Sequence, residues 1–266
     1  MTGIVLKPRA TLEARVDMTG ITPDRLAGLS LADVEHLSVP HGGRAVALAE
    51  LFFVERAPDS VLLVEIGDVR LDHLGAGMTA GEIIVEGPVG AWAGLAMSGG
   101  VMRIAGDAGD FVGAELSGGR IELAGNAGDH AGAASSGSRR GLSGGLLRIA
   151  GSVGARAGER QRGGLIVVFG DAGGGLSTDM IAGTICVHGK IGPHMGRGMK
   201  RGTVLCHKAP DLPAGFADTG THDLIALRLL ARRVAELGEM IGNATSARRL
   251  VGDLLLGGQG EVLVVA

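Results

Sequence analysis

Three side chains towards the C-terminal end of the glycine-rich part of the sequence could bind a metal ion. Cys186, His188 and His207 offer sulfur and imidazole donors, and the two histidines are 19 residues apart. Zn²⁺ prefers such ligands, but this spacing matches no closed zinc pattern. We therefore expect a surface pair of histidines without a metal, and no disulfide between Cys186 and Cys206.

A second candidate site is a concentration of positive charge. Residues 131–210 carry eleven Lys and Arg against three acidic residues, a net charge of +8, whereas residues 81–130 have a net charge of −5. A field of this kind attracts anions and acidic partners. The residues that we expect to form this basic patch are Arg139, Arg140, Arg160, Arg162, Arg197, Lys200 and Arg201.

The sequence offers no arrangement to which we would assign catalysis. HExxH is absent, and no Cys–His arrangement resembles a nucleophile with its base. A carboxylate pair of the kind used on polysaccharides could come only from one acidic cluster, formed by Asp107, Asp110, Asn126 and Asp129. We therefore assign no catalytic residue.

All these side chains are carried by a repeat with a period of 19 residues. The interval from Gly119 to Gly145 is 26 residues, because it contains a seven-residue insertion that we expect to be a mobile loop. A fixed period indicates a repeat architecture. It also argues against a dinucleotide-binding loop, which occurs once, between a strand and a helix. The glycines that open the repeats are Gly81, Gly100, Gly119, Gly145, Gly164, Gly183 and Gly202.

The pattern within one repeat predicts its path. With the opening glycine as position 0, positions +2 and +4 are apolar and position +3 is mixed, as in a short strand. Glycine recurs at +6 and +9, and small or apolar residues occupy +8 and +12. Single coils cannot bury these residues, but stacked coils can. We predict a right-handed parallel β-helix, a β-solenoid, of about seven 19-residue coils with small α-containing caps at both ends.

The flanking segments set the predicted boundaries: an N-terminal cap region at 1–59, the β-helix at 60–210 and a C-terminal cap at 211–266. Thr22-Pro23-Asp24 and Ser30-Leu31-Ala32-Asp33 are typical helix starts. A partial coil at 60–66 precedes the repeats, with Gly67 one residue out of phase, and Pro213 helps to end them. We expect one amphipathic helix over 222–241 and a final strand in the tail at 260–266.

Composition excludes several classes of function. Aromatic residues make up 2% of the chain and Tyr is absent, which argues against nucleic-acid binding by base stacking. No stretch of about 20 apolar residues is present, and the first residues do not resemble a signal peptide. We expect a cytoplasmic protein that binds neither nucleic acid nor membranes.

The tandem GxIxxxGxxGxxxG repeats, preceded by LGAGM at Leu74–Met78, resemble two known glycine-rich groups. One is the C-terminal domain of the large chain of glutamate synthase. The closer resemblance, strong over about residues 60–205, is to the C subunit of formylmethanofuran dehydrogenase and of its relative, the formyltransferase/hydrolase complex of methylotrophs. The arginine-rich, lysine-poor composition favours the bacterial complex.

The resemblance implies a non-catalytic scaffold in a complex that moves a formyl group from formyl-tetrahydromethanopterin to a methanofuran-type cofactor and hydrolyses it to formate. It implies three partners in that complex: the hydrolase (A), the formyltransferase (D) and the B subunit. The basic patch would then guide an acidic cofactor tail or dock an acidic partner. Three alternatives stay open: the C subunit of a tungsten or molybdenum formylmethanofuran dehydrogenase, a stand-alone domain of the glutamate synthase type, and an independent enzyme or polysaccharide binder.

Overall fold

A computed structural model describes residues 3–57, 60–65, 68, 70–211 and 214–265. Ile66, Gly67, Pro213 and Ala266, which figure in the predicted ends of the repeats and of the tail strand, lie outside the described residues. The fold is mostly β. The strands are β1 Gly3–Pro8, β2 Val16–Asp17, β3 Ser38–His41, β4 Arg44–Ala47, β5 Phe52–Ala57, β6 Val61–Val64, β7 Leu71–Asp72, β8 Glu82–Val85, β9 Val101–Ile104, β10 Arg120–Leu123, β11 Leu146–Ile149, β12 Arg162–Val168, β13 Ala182–Val187, β14 Thr203–Cys206, β15 Ala217–Asp223, β16 Ser246–Gly252 and β17 Gly260–Val265.

The helices are short and lie towards the two ends of the chain. They are α1 Pro23–Leu26, α2 Leu31–Glu35, α3 Leu48–Leu51, α4 Ile225–Ala231, α5 Ala235–Ile241 and a 3₁₀ turn at Leu254–Leu256. Within the described residues, no helix combines the length and the apolar character that crossing a membrane requires.

In the part of the chain that the structure describes, thirteen strands form one large sheet in the order β15-β16-β17-β14-β13-β12-β11-β10-β9-β8-β6-β1-β5. Neighbours pair in parallel from β1 through β6 and β8 to β14, and on to β17. Strands from both termini therefore extend the ladder of the repeats. A separate small sheet has the order β4-β3-β2-β7.

The predicted alternation within each repeat is confirmed. Pairing joins equivalent positions of successive repeats, as between Ile83 and Met102. Every residue at +2 and +4 is buried, with at most 2% of its surface exposed. A second row of parallel bridges joins the +8 positions, for example Val89 with Ala108 and Ala108 with Ala127. The core is therefore built from columns of like residues, as expected for stacked repeats.

Two kinds of glycine hold the repeats in this arrangement. The opening glycines have positive φ, for example 81° at Gly100, which is a conformation that other residues adopt at a cost. Apart from Gly87, whose φ is 136°, the glycines at +6 and +9 have ordinary φ and are required by space: a Cβ on Gly109 would lie 2.8 Å from the backbone N of Ala91 in the preceding repeat. Successive backbones thus touch at these corners.

Polar side chains at the same corners tie one repeat to the next. Asp107 Oδ1 accepts the backbone N–H of Asn126 at 2.6 Å, and Asn126 Oδ1 accepts that of Ser152 at 2.9 Å. Asp110 Oδ1 accepts the N–H of Asp129 at 2.8 Å. The acidic cluster of the sequence therefore serves as a ladder of backbone hydrogen-bond acceptors.

In the N-terminal segment, both predicted helix starts are confirmed. Pro23 begins α1, and Ser30 caps α2 through a capping box in which its hydroxyl accepts the N–H of Asp33 at 3.1 Å. Asp24 in α1 accepts the hydroxyl proton of Thr79 at 2.6 Å, which anchors the segment to the start of the repeats.

The C-terminal segment differs from the prediction of one helix over 222–241. Residues up to Asp223 belong to β15, and two separate helices, α4 and α5, follow. Only the α5 half of the predicted apolar face packs inwards: Leu237 and Ile241 lie in a cluster with Val167 and Cys186 on the outer face of β12–β14. Because the helix is broken, α5 can take a direction different from that of α4 and so cover that face.

Candidate interaction surface

The arginines in and around the insertion lie together. Arg139 and Arg140 are exposed in the insertion loop. Arg160 Nη1 donates to the carbonyl oxygen of Ser138 at 2.9 Å, and Arg162 Nε donates to that of Arg139 at 3.1 Å. The segment predicted to be a mobile loop is thus held to the next repeat by two guanidinium groups, which act as structural donors.

The other three residues of the basic patch lie in the repeat that Gly183 opens, two repeats beyond that of Arg160 and Arg162. Arg197, Lys200 and Arg201 are exposed, and within the described residues none of them forms an ion pair. The two groups are linked through Asp179, whose N–H donates to the carbonyl of Arg197 at 2.8 Å and whose carboxylate lies 4.0 Å from Arg160 Nε. The structure therefore joins the two groups into one patch, and among the described residues Arg139, Arg140 and Arg162 likewise form no ion pair.

A groove of about 680 Å³ opens beside these charges, and we call it the basic groove. Its polar side chains are those of Arg156, Thr178, Asp179, His194 and Arg197. The remaining lining residues are Ala155, Gly174, Gly175, Gly198 and Leu256. The groove can accept a chain-like ligand or a protein segment that carries negative charge.

A buried carboxylate neutralises part of the positive charge near the groove. Glu159 is buried, with 7% of its surface exposed, and its carboxylate accepts two hydrogen bonds from Arg156 at 2.9 and 3.0 Å. Nδ1 of His130 lies 3.3 Å from the same carboxylate. Arg156 is consequently a paired cation, and His194 and Arg197 supply the unpaired polar groups on this side.

Four rings form a column at position +11 of successive repeats. The centroids of Trp92 and Phe111 are 3.9 Å apart, those of Phe111 and His130 are 4.6 Å apart, and His73 extends the column at 6.1 Å from Trp92. Each of these residues has φ between 56° and 63°, a conformation that costs roughly 1–2 kcal/mol for a residue with a side chain. The column was not predicted from the sequence, although the 19-residue register aligns Trp92 with Phe111 and His130.

The candidate metal ligands do not converge. His188 and His207 are neighbours on successive repeats, as predicted, with ring centroids 5.3 Å apart and ring planes tilted by 57°. Cys186, expected to point outwards, is fully buried because α5 covers it. Burial, with the charge of Glu236 adding to it, raises the pKa of Cys186 to about 12, and burial raises that of Cys206 to about 12. Among the described residues, no group of three His, Cys, Asp or Glu could hold a metal ion.

Both thiols are free, in line with the expectation of no disulfide between Cys186 and Cys206. The pKa of His188 lies below its ordinary value because the ring is partly buried and because His207 is close. Phe169, His188 and His207 form a second column of rings, with His188 in the middle. The His188 ring is therefore uncharged near pH 7, and the three rings pack as an aromatic surface.

The geometry describes a glycine-rich protein of stacked β repeats that carries a basic groove on its surface. No family model matches the sequence. The sequence is 40% identical over 85 residues to the C subunit of the formyltransferase/hydrolase complex Fhc of Methylorubrum extorquens, a match that covers 32% of each chain. It is 34% identical over 99 residues to the C subunit of the tungsten-containing formylmethanofuran dehydrogenase 2 of Methanothermobacter wolfeii, covering 35% of this chain and 37% of that protein. The match thus spans about a third of the length of these curated relatives.

A solved structure extends the similarity to the whole chain. In the crystal structure of the formyltransferase/hydrolase complex FhcABCD from Methylorubrum extorquens with methylofuran, one chain superposes with a TM-score of 0.91 at 38% identity. The match covers 98% of this chain and 99% of that one. The protein belongs to the family formed by the C subunits of the formyltransferase/hydrolase complex and of formylmethanofuran dehydrogenase.

Proposed function

We propose that this chain is the non-catalytic scaffold of a complex that transfers a formyl group from formyl-tetrahydromethanopterin to a methanofuran-type cofactor and hydrolyses it to formate. The observation that carries the proposal is the match over 98% of the chain to a component of a complex solved with methylofuran. The use of polar side chains within the fold supports it, because the Asp and Asn ladders bind backbone and both thiols are buried.

The partners that we propose are the hydrolase (A), the formyltransferase (D) and the B subunit, acting in the cytoplasm. The test is to purify the tagged, full-length chain from its native host and to identify by mass spectrometry what elutes with it. We expect these three partners and formyl transfer by the assembled fraction only. Elution of the chain alone, with activity of its own, would contradict the proposal.

The large sheet fits the predicted right-handed parallel β-helix, and we include that architecture in the proposal. Three rows of contacts support it: the strand pairs, the bridges at +8 and hydrogen bonds from the +13 amide to the +12 carbonyl of the preceding repeat, such as Gly113 to Ala93 at 2.8 Å. An experimental structure with left-handed connections, or with repeats that do not close a turn, would reject it.

For the basic patch we propose a role in guiding the acidic tail of the cofactor or in docking an acidic partner. Arg197, Lys200 and Arg201 are exposed, form no ion pair among the described residues and lie beside the basic groove, so reversal of all three to Glu is the informative change. We expect weaker assembly or weaker cofactor binding at low salt, where charges are least screened. Unchanged assembly and unchanged cofactor affinity would reject the role, and the paired reversal of Arg232 and Arg233, between α4 and α5, is the control.

One alternative has its own support, because the sequence also matches the C subunits of tungsten and molybdenum formylmethanofuran dehydrogenases. The metal content of the purified native complex separates the two cases. Stoichiometric tungsten or molybdenum would favour the dehydrogenase. A flavin with a partner that has an N-terminal cysteine nucleophile would instead indicate the glutamate synthase type.

A further inference from the structure

The connection between β16 and β17 exposes three consecutive leucines, which we call the leucine knob. The two strands pair in antiparallel fashion as far as Gly252 and Gly260, and a connection of two residues is the commonest for such hairpins. This one is longer, and its 3₁₀ turn leaves Leu254, Leu255 and Leu256 exposed by 50%, 76% and 63%. Contiguous exposed apolar side chains usually mark an interaction surface.

The leucine knob is held firmly against the repeats. Asp253, 6% exposed, accepts the N–H of Leu255 at 3.1 Å with one carboxylate oxygen and that of Gly198 at 3.4 Å with the other. Its own N–H donates to the carbonyl of Met199 at 3.0 Å, and the N–H of Leu254 donates to the carbonyl of Gly215 at 2.8 Å. The leucines are thus presented to solvent by a buried anchor, which lowers the entropy lost when they are covered.

Positive charge borders the leucine knob. Leu256 lines the basic groove together with His194 and Arg197. The N–H of Gln259, at the far end of the same connection, donates to the carbonyl of Lys200 at 2.7 Å. The apolar knob and the free cations of the basic patch therefore form one continuous surface.

We propose that the leucine knob and the basic groove together dock a partner protein of the complex, which receives the leucines in an apolar pocket and lays an acidic segment in the groove. The inference rests on the proposed function and narrows it, because it assigns the groove to a protein. A second copy of this chain fits less well. In a two-fold contact the same patch meets itself, so Arg197, Lys200 and Arg201 would face their own copies.

The test uses the whole complex, purified through a tag on this chain. One variant carries Leu254→Ser, Leu255→Ser and Leu256→Ser; the other carries Arg197→Glu, Lys200→Glu and Arg201→Glu. The matched controls are Leu229→Ser with Leu230→Ser in the exposed face of α4, and Arg232→Glu with Arg233→Glu. Thermal unfolding of each purified complex checks that the fold is kept, which we expect because all the changed side chains are exposed.

We expect both test variants to recover at least tenfold less of one particular partner than the wild type does, while the controls recover it normally. The inference is overturned if both test variants assemble like the wild type, if they lose only the cofactor, or if the wild-type chain alone is a dimer that the serine changes dissociate. If the wild-type chain recovers no partner at all, the proposed function fails together with this inference. The other outcomes leave the proposed function unaffected.

Discussion

The glycines at the corners of the repeats can be tested by replacing Gly125 with Ala. Gly125 has ordinary φ, so any cost comes from space. A Cβ there would lie 2.6 Å from the carbonyl oxygen of Gly106 and 2.7 Å from the backbone N of Asp107. It would also overlap the Asp107 carboxylate, which accepts the N–H of Asn126 at 2.6 Å.

The cost can be estimated from these contacts. Overpacking of a tight interior costs about 1–3 kcal/mol, and a hydrogen bond to a charged group contributes about 1.5–3 kcal/mol. We expect Gly125→Ala to lower the free energy of unfolding by about 3–5 kcal/mol. For a chain of this size, each kcal/mol shifts the Tm by roughly 2–4 °C, so a decrease of about 10 °C follows.

The assay is thermal and urea unfolding of the full chain, followed by circular dichroism. Gly238→Ala in α5 is the matched control: its Cβ would be 3.5 Å from the carbonyl of Ala231, and Ala gains up to about 1 kcal/mol over Gly within a helix. A Gly125→Ala chain as stable as the control would refute the close-approach argument. Full rescue by adding Asp107→Ala would also refute it, because the backbone contacts would remain.

Three further predictions concern buried and charged groups. Cys186 and Cys206 have pKa values of about 12, so a thiol reagent at pH 8 should label neither in the folded chain and both after unfolding; fast labelling of the native chain would contradict their burial. Burial alone would raise the pKa of Glu122, but hydrogen bonds and charges from two neighbouring arginines hold it below 4.5. The stability that this lowered pKa contributes is present above the pKa of the unfolded state, and it is lost as the pH falls through the lower pKa of the folded state. Glu122→Gln should therefore flatten the decline of stability between about pH 5 and pH 3, and an unchanged profile would argue against this. Glu159→Gln should lower the unfolding free energy by about 1–3 kcal/mol, as the buried carboxylate accepts two hydrogen bonds from Arg156; equal urea midpoints of variant and wild type would show that the pair contributes nothing.

Prediction from the sequence succeeded where every repeat makes the same contacts. The burial of Ile83 and Val85 follows from the alternation in one strand, and the register then applies it to each repeat in turn. Prediction failed where one segment packs on another that is distant in sequence. Cys186 obeys the alternation of its strand, yet it is buried, because α5 covers an outward face that the period marks as exposed.

For the candidate site, too, some features could be predicted from the sequence and others could not. The sequence predicts that the cations between Arg139 and Arg201 lie in one part of the molecule, because repeats that are neighbours in the chain are also neighbours in the stack. It does not show that Arg160 and Arg162 donate to the insertion loop, since those carbonyl acceptors depend on where the loop folds back. The leucine knob was missed for the same reason: its exposure depends on Asp253 binding to Gly198, far away in sequence.

By itself the sequence determined the repeat, the inward columns and the family, because a local pattern with a fixed period specifies the same backbone path each time. Only the tertiary structure decided which outward faces are covered and which cations stay free. Those features arise from single contacts between the irregular ends and the regular stack, and no period encodes them. The regular part gives the protein its repeated core, and the irregular parts determine much of its outer surface.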